Sequence, residues 1–367
     1  MLWSLLAGQP LIIVGVTGPV SILSISIYTL TKAWDIPFIP FFAWAQIWAA
    51  LMHIIMAMSN ACDMLSWITR FSCEIFGVLI AVIYLYTGIT DSVHAFTTKD
   101  ATFEAGLWQL FVTLGMLRLA LVLFNARQWL VFSSRIREII SDYGASIALI
   151  FWTGVVYFPR ANLINIKNVE TPNEFGTSNG RAWIADLSDL PIWAIFAAII
   201  PGIIITILFF FDHNVSSIMA QASEFKLNKP SAFHWDYFVL GLIMFVTGIL
   251  GIPPVNGLIP QAPLHVSSLL LTKYTTTEDA AGNTIRTHSI VGCLEQRYSN
   301  FFQAFFTGLM CFQPFLGLIA LIPTAALSGL FLFMGIASFS GMCIVVECVY
   351  CILLRVCTLV LYIYKLI

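Results

Sequence analysis

The sequence predicts an all-α polytopic membrane protein. Three observations carry this: 59% of the 367 residues are hydrophobic, only 10% are charged, and the mean hydropathy is +0.90. A soluble domain carries roughly 25% charged residues. Charge-free runs of about 17 residues or more, the shortest that cross a bilayer as a helix, recur along the whole length. A net charge of −2 excludes an electrostatic nucleic-acid binder.

Taken in order, residues 1–8 read as the end of one span. A broken span covers 10–31, and further spans cover 40–60, 70–90, 105–125, 143–159 and 190–211. A span at 236–251 leads into a second broken one at 254–272, followed by 299–321 and 324–342. The tail 343–367 is apolar and lacks Gly and Pro. Arg127, Arg135 and Arg137 mark the cytoplasmic side, together with the Asp212–Trp235 and Lys273–Arg297 loops. The opposite side holds Asp91–Glu104 and the polar 160–189 loop. Asn214-Val215-Ser216 matches a glycosylation sequon but falls on the cytoplasmic side.

The two broken spans are the most informative feature. Gly8-Gln9-Pro10 and Gly15-Val16-Thr17-Gly18-Pro19 interrupt the first; Gly251 through Pro263 interrupts the second. No Asp, Glu, Lys or Arg occurs from Met1 to Thr31 or from Tyr237 to Thr272. Lipid cannot hydrogen-bond an interrupted backbone, so such a break survives only inside protein or beside water. Paired Gly/Pro interruptions in the two halves of a membrane protein point to a transporter's substrate site. Two proline kinks in ordinary packed helices are the structural alternative.

In the transporter reading, each break starts a half-helix whose unpaired N–H groups favour an anion or a polar neutral solute. Gly15, Thr17 and Gly18 lie in the first break; Asn256, Pro260, Gln261 and Ala262 lie in the second. The second half-helix is expected to run from Pro260 through His265 to Leu271, with His265 one turn beyond Gln261 and lining the same cavity. Asp212 closes the run Pro191–Phe211, so it either snorkels at the interface or faces a cavity, and spacing favours the interface. Its neighbour His213 makes a titratable pair that could couple proton movement to transport. Arg70 and Glu74, four apart, read as a structural ion pair on one helix face, and His53 as a hydrogen-bonded core residue.

Other chemistry is sparse. The eight cysteines lie in or beside apolar runs and read as small buried hydrophobes. Cys348-Val349-Tyr350-Cys351 has metal-ligand spacing but no second ligand pair. No nucleophile–base constellation, metal cluster or cofactor motif stands out, so neither an enzyme nor a cofactor is expected.

These residues also carry a family resemblance. Leu6 through Pro19 resembles the first broken span of the bicarbonate (HCO3-) transporter superfamily. Phe211–Ser216, Lys229–Asp236 and Gly251–His265 are similar to its borate-exporter branch of fungi and plants. Glu295-Gln296-Arg297 and Phe331–Gly335 match further family positions, and the resemblance runs from residue 1 to about 341. It implies an inverted-repeat fold of seven plus seven segments with two discontinuous half-helices. It further implies a core (transport) domain that moves against a gate domain, and a homodimer. On that basis residues 1–61 and 190–322 are core, 62–159 and 323–342 gate, 160–189 an extracellular loop and 343–367 an atypical tail. The resemblance places Thr17, Gly18, Gln261, Ala262 and Asp212 at the substrate site, with Asp212 turned to the cavity, and gives Arg70 and Glu74 a structural role. It also implies a chain incomplete at both termini, the first segment and the last two gate segments having no counterpart.

One departure from the superfamily is informative. Where animal anion exchangers have an arginine in the second half-helix, this sequence has Gln261, like the borate branch. An amide and backbone N–H groups suit a polyhydroxylated, weakly acidic solute better than a permanently charged anion. The expected function is therefore export of borate or boric acid across the plasma membrane by alternating access. Exchange of bicarbonate or another small anion, and a vacuolar location, are the alternatives within transport. A truncated, non-transporting membrane protein or scaffold is the alternative outside it.

Overall fold

The computed structural model describes residues 1–67, 69–97, 102–129, 131–158, 167–172, 175–177, 180–259, 261–278 and 284–339. Pro260, the tail 343–367, much of the 160–189 loop and the side chain of Arg70 lie outside the described residues. The chain forms two compact units, Met1–Thr69 with Phe175–Leu309 and the described parts of 70–174 with those of 310–367. In the second half of the chain the units part at 309/310.

Unit 1 opens with α1 (Leu2–Leu6), then strand β1 (Val14–Gly15) and helix α2 (Gly18–Ala33). Pro19 at the start of α2 supplies a fixed φ and lacks the N–H that would have no partner there. Helix α3 (Phe38–Met58) is followed, in the second part of the unit, by α8 (Ile192–Ala197), α9 (Ile199–Ala220) and α10 (Phe233–Leu250). Then come strand β2 (Asn256–Gly257), α11 (Gln261–Ser268), strands β3 (Leu270–Glu278) and β4 (Thr284–Cys293), and α12 (Tyr298–Leu309).

The heart of this unit is α3 packed between α9 and α10. Small residues let the backbones approach: Ala43, Ala45, Ala49 and Ala50 are all fully buried. A Cβ on Gly248 would lie 3.1 Å from Gln46 Cβ and 3.3 Å from the Ala43 carbonyl. Polar side chains tie the same helices together. The Thr247 hydroxyl donates to Gln46 Oε1 at 3.0 Å, and Gln46 Nε2 donates to the Ile252 carbonyl at 3.0 Å. Large apolar side chains such as Ile22, Ile25, Leu51 and Ile55 remain exposed, as lipid-facing positions require.

Unit 2 contains α4 (Arg70–Thr97), α5 (Phe103–Phe124), α6 (Ser134–Asp142), α7 (Gly144–Val156), α13 (Phe315–Ile319) and α14 (Thr324–Ser338). The Thr102 side chain caps α5 by accepting the Ala105 N–H at 3.3 Å. Helix α14 lies against α4 and α5, where a Cβ on Gly329 would meet the Thr113 carbonyl at 2.6 Å. Met116, Ala120, Ala148, Phe333 and Ala337 form the apolar core there.

Among the described residues, five helical stretches are long and apolar enough to cross a membrane: Phe38–Met58, Phe71–Thr97, Phe103–Gln128, Ile192–Phe225 and Phe233–Leu250. Helices α6 and α7 form a sixth only as a pair bent by 64°. Three expectations need correction. The span expected at 299–321 is two helices, α12 and α13, separated by Met310–Pro314. The stretch after Asp212 is not a loop, because α9 continues to Ala220 with His213, Asn214, Ser216 and Ser217 buried. The half-helix expected to reach Leu271 ends at Ser268, where the chain turns into an antiparallel ribbon pairing Leu270 with Cys293 and Glu278 with Thr284. β-Branched residues at Thr275–Thr277, Ile285 and Thr287 favour that extended form. The protein is thus a mostly helical membrane protein whose described residues include a hairpin that hydropathy does not reveal.

Candidate functional site

The two charge-free breaks meet inside unit 1. Strands β1 and β2 pair antiparallel, Val14 opposite Gly257 and Gly15 opposite Asn256, and the Leu258 N–H donates to the Ile13 carbonyl at 3.0 Å. Backbone that left its helix to cross the interior therefore finds partners in the other broken segment. Just beyond the crossing, each segment turns into a helix, α2 after Thr17 and α11 at Gln261. Gly15 faces the Leu258 side chain, to which a Cβ would come within 3.0 Å.

Asp212 sits where they cross. It is 1% exposed, so it does not snorkel, and the interface placement favoured by spacing gives way to an interior one. The Thr17 hydroxyl donates to Asp212 Oδ2 at 3.3 Å and Asn256 Nδ2 donates to the same oxygen at 3.0 Å. The Asn256 Oδ1 accepts the Gly257 N–H at 2.9 Å, which fixes the orientation of its amide. One residue from each broken segment thus grips one carboxyl from α9. The Ser216 hydroxyl, one turn beyond Asp212, donates to the Leu258 carbonyl at 3.2 Å and fastens α9 to the second break.

The other sequence-selected residues fall into distinct places. Gln261 opens α11 half-buried, with Ala262 fully buried behind it, and Gly18 is exposed at the start of α2. Asn256, expected only to line a cavity, is fully buried and holds Asp212. His265 is committed elsewhere: Nδ1 meets the Leu11 carbonyl at 2.9 Å and Nε2 meets Ser299 Oγ at 2.7 Å. It therefore links α11 to the first break and to α12. Glu74 is buried on α4 in unit 2, and its expected pairing with Arg70 lies outside the described side chains.

Sequence reasoning missed how the first break is held. Between Ser4 and Ile12 the backbone is fastened by side chains from α10, from α12 and Arg297 just before it, and from Trp3 of α1. Asp236 accepts the N–H of Gly8 at 2.5 Å and of Gln9 at 3.2 Å. Trp235 Nε1 donates to the Leu6 carbonyl at 2.6 Å, and an Arg297 nitrogen to the Ser4 carbonyl at 3.0 Å. Asn300 Nδ2 donates to the carbonyls of Pro10 and Ile12, at 2.6 and 3.0 Å, and Trp3 Nε1 also reaches Ile12. The available signal was Asp236, an acid at the first position of the 236–251 span, immediately before the charge-free run that begins at Tyr237.

Among the described residues no group of three His, Cys, Asp or Glu side chains converges as a metal site requires. The arrangement offers hydrogen-bond donors and acceptors at two half-helix starts around a buried carboxyl.

Known proteins resemble the chain in both sequence and fold. Boron transporter 1 of Saccharomyces cerevisiae is 38% identical over 345 residues, which cover 92% of this chain and 58% of that protein. Boron transporter 4 of Arabidopsis thaliana is 33% identical over 290 residues, covering 74% of this chain and 42% of that protein. The chain thus spans about half the length of these relatives. In three dimensions the transmembrane domain of a cyanobacterial bicarbonate transporter, BicA, superposes with a TM-score of 0.54 at 14% identity, covering 92% of this chain and 80% of that one. This likeness carries the fold, an inverted repeat of seven plus seven segments. Residues 1–106 and 96–354 match the HCO3- transporter integral membrane domain, and the chain belongs to that family.

Proposed function

We propose that the protein exports boric acid or borate across a cellular membrane. The observation that carries this reading is the single carboxyl, Asp212, held by Thr17 and Asn256 at the crossing of the two broken segments. The half-helix starting beside it opens with Gln261, an amide and not a fixed cation. A solute rich in hydroxyl groups can both donate to and accept from such a site. The names of the yeast and Arabidopsis relatives support the same substrate class.

In this reading Thr17, Gly18, Gln261 and Ala262 contact the solute through side-chain and backbone groups, while Asp212 sets the polarity of the site. Gly15 and Asn256 hold its walls. Transport proceeds by alternating access, without covalent chemistry, in the plasma membrane and as a homodimer. Arg70 and Glu74 have a structural role. The family's bicarbonate description favours a second reading, exchange of bicarbonate or another small inorganic anion.

The test is boron content in cells lacking their own exporter. Expression of the chain should lower internal boron and raise tolerance to it. Unchanged boron at normal surface abundance would refute export, and chloride-dependent bicarbonate flux in the same cells would establish the second reading.

A further inference from the structure

Behind the candidate site, unit 1 buries a second set of polar groups that the site does not use. Gln9, His53, His213, Asn214 and Tyr237 are each at most 1% exposed. Both amide atoms of Gln9, both ring nitrogens of His213, His53 Nε2, Asn214 Oδ1 and the Tyr237 hydroxyl have no hydrogen-bond partner in the protein.

Ring contacts place His53, Tyr237 and His213, the Asn214 Nδ2 donates to the Phe210 carbonyl one turn back at 2.7 Å, and Gln9 is placed by its backbone. The His53 ring stacks on Tyr237 at 4.4 Å, and the two meet Phe209 and Phe210 of α9 at 6.0 and 5.7 Å. His213 and Asn214 follow those phenylalanines by one helical turn on the same faces. The His213 ring packs edge-on against Trp3 at 5.2 Å, and Trp3 bridges the first break by donating to the Ile12 carbonyl. Gln9 lies within the loop so bridged, and its N–H is held by Asp236, the residue before Tyr237. Helices α3, α9, α10 and the first break therefore converge with a polar group from each.

Isolated orphans occur in folded proteins, but a concentration of them does not survive in a membrane-spanning unit without partners. Buried water meets this need, since one molecule commonly bonds about three such groups. We propose that these five side chains line an internal water-holding chamber in unit 1, a hydrated site separate from the Asp212 crossing and joined to it through the Asp212–His213 peptide. Its ligand is water. The chamber hydrogen-bonds the first break to α3, α9 and α10, and this inference stands whether or not the solute is boric acid.

Pulsed X-ray hydroxyl-radical footprinting of the purified full chain in H2(18)O tests it, because radicals generated from bound water label the side chains that touch it. Tyr237 and His213 should be oxidised, whereas Met116, fully buried in the apolar core of unit 2 and intrinsically more reactive, stays silent. Silence at Tyr237 and His213, or equal labelling of Met116, overturns the chamber. A second measurement reads a sign. If water bonds the Tyr237 hydroxyl, Tyr237→Phe lowers the melting temperature, by roughly 2 °C. In a dry interior the same change removes an unsatisfied group and leaves the melting temperature unchanged or higher; either result refutes the proposal.

Discussion

Asp236 accepts the N–H of Gly8 at 2.5 Å across 228 residues of chain, and of Gln9 at 3.2 Å. The first break cannot satisfy these donors from its own helix, so α10 reaches over to do it. Asp236→Ala leaves both N–H groups orphaned in the interior, at a cost of about 2–3 kcal/mol. Thermal unfolding of the purified protein should show a lower melting temperature, with less protein at the membrane. Asp236→Asn keeps one acceptor oxygen and should fall between. An unaltered melting temperature in the alanine variant would remove Asp236 from this role.

The Thr17–Asp212–Asn256 arrangement predicts a different pattern. Each donor contributes one hydrogen bond to Oδ2, and loss of one bond of about 1.4 kcal/mol corresponds to tenfold in an equilibrium. Thr17→Val and Asn256→Ala should each reduce boron export about tenfold at unchanged abundance, while Thr17→Ser retains most of it. The double variant should lose less than the product of the two, because both donors serve one oxygen. Strict additivity would mean the two donors act independently of that carboxyl.

How much of this was written in the sequence depends on the range of the interaction. The charge-free stretches flanking Gly8-Gln9-Pro10 and Gly251-Ile252-Pro253 reveal both breaks, because Gly and Pro act locally on their own φ and hydrogen bonds. Thr17 and Asn256 stand out by their place in the breaks, and Asp212 by the family resemblance, since spacing alone favoured the interface for it. That Thr17 and Asn256 both donate to one Asp212 oxygen depends on the β1–β2 register and on how α9 packs against it, and both are long-range properties. The polar run His213-Asn214-Val215-Ser216-Ser217 reads as a loop because hydropathy drops there, yet it stays helical through contacts that composition does not encode. The β3–β4 ribbon was hidden for a related reason: its Thr-rich strands are neither apolar enough nor alternating enough to stand out.

Close helix approach in unit 1 rests on Gly248, where a Cβ would already press on Gln46 Cβ at 3.1 Å. Gly248→Ala requires α3 and α10 to separate slightly. Gly248→Leu cannot be accommodated without moving the Gln46–Thr247 hydrogen bond, at a cost of about 3 kcal/mol or more. Circular dichroism melts should rank wild type above alanine above leucine. A leucine variant as stable as wild type would show that α3 and α10 are not tightly seated there.

Cys62 gives a prediction about reactivity. It sits in the 3-10 turn Ala61–Trp67 after α3, buried to 3% exposure, with its thiol donating weakly to the Phe233 carbonyl at 3.9 Å. Burial, and then the charge of Asp63, push its thiol up to about 11. Only the thiolate is alkylated, so at pH 8 roughly one molecule in a thousand is reactive. Peptide-level mass spectrometry of maleimide-treated protein should find Cys62 slow at pH 8 and exposed Cys311 fast. The Cys62 rate should rise about tenfold per pH unit and keep rising past pH 9. Asp63→Asn removes the second cause, lowers the thiol and should speed alkylation at pH 9. If the rate instead levels off near pH 9, where an ordinary thiol titrates, the reagent is reaching Cys62 through a locally unfolded turn. The folded environment would then not be what protects it.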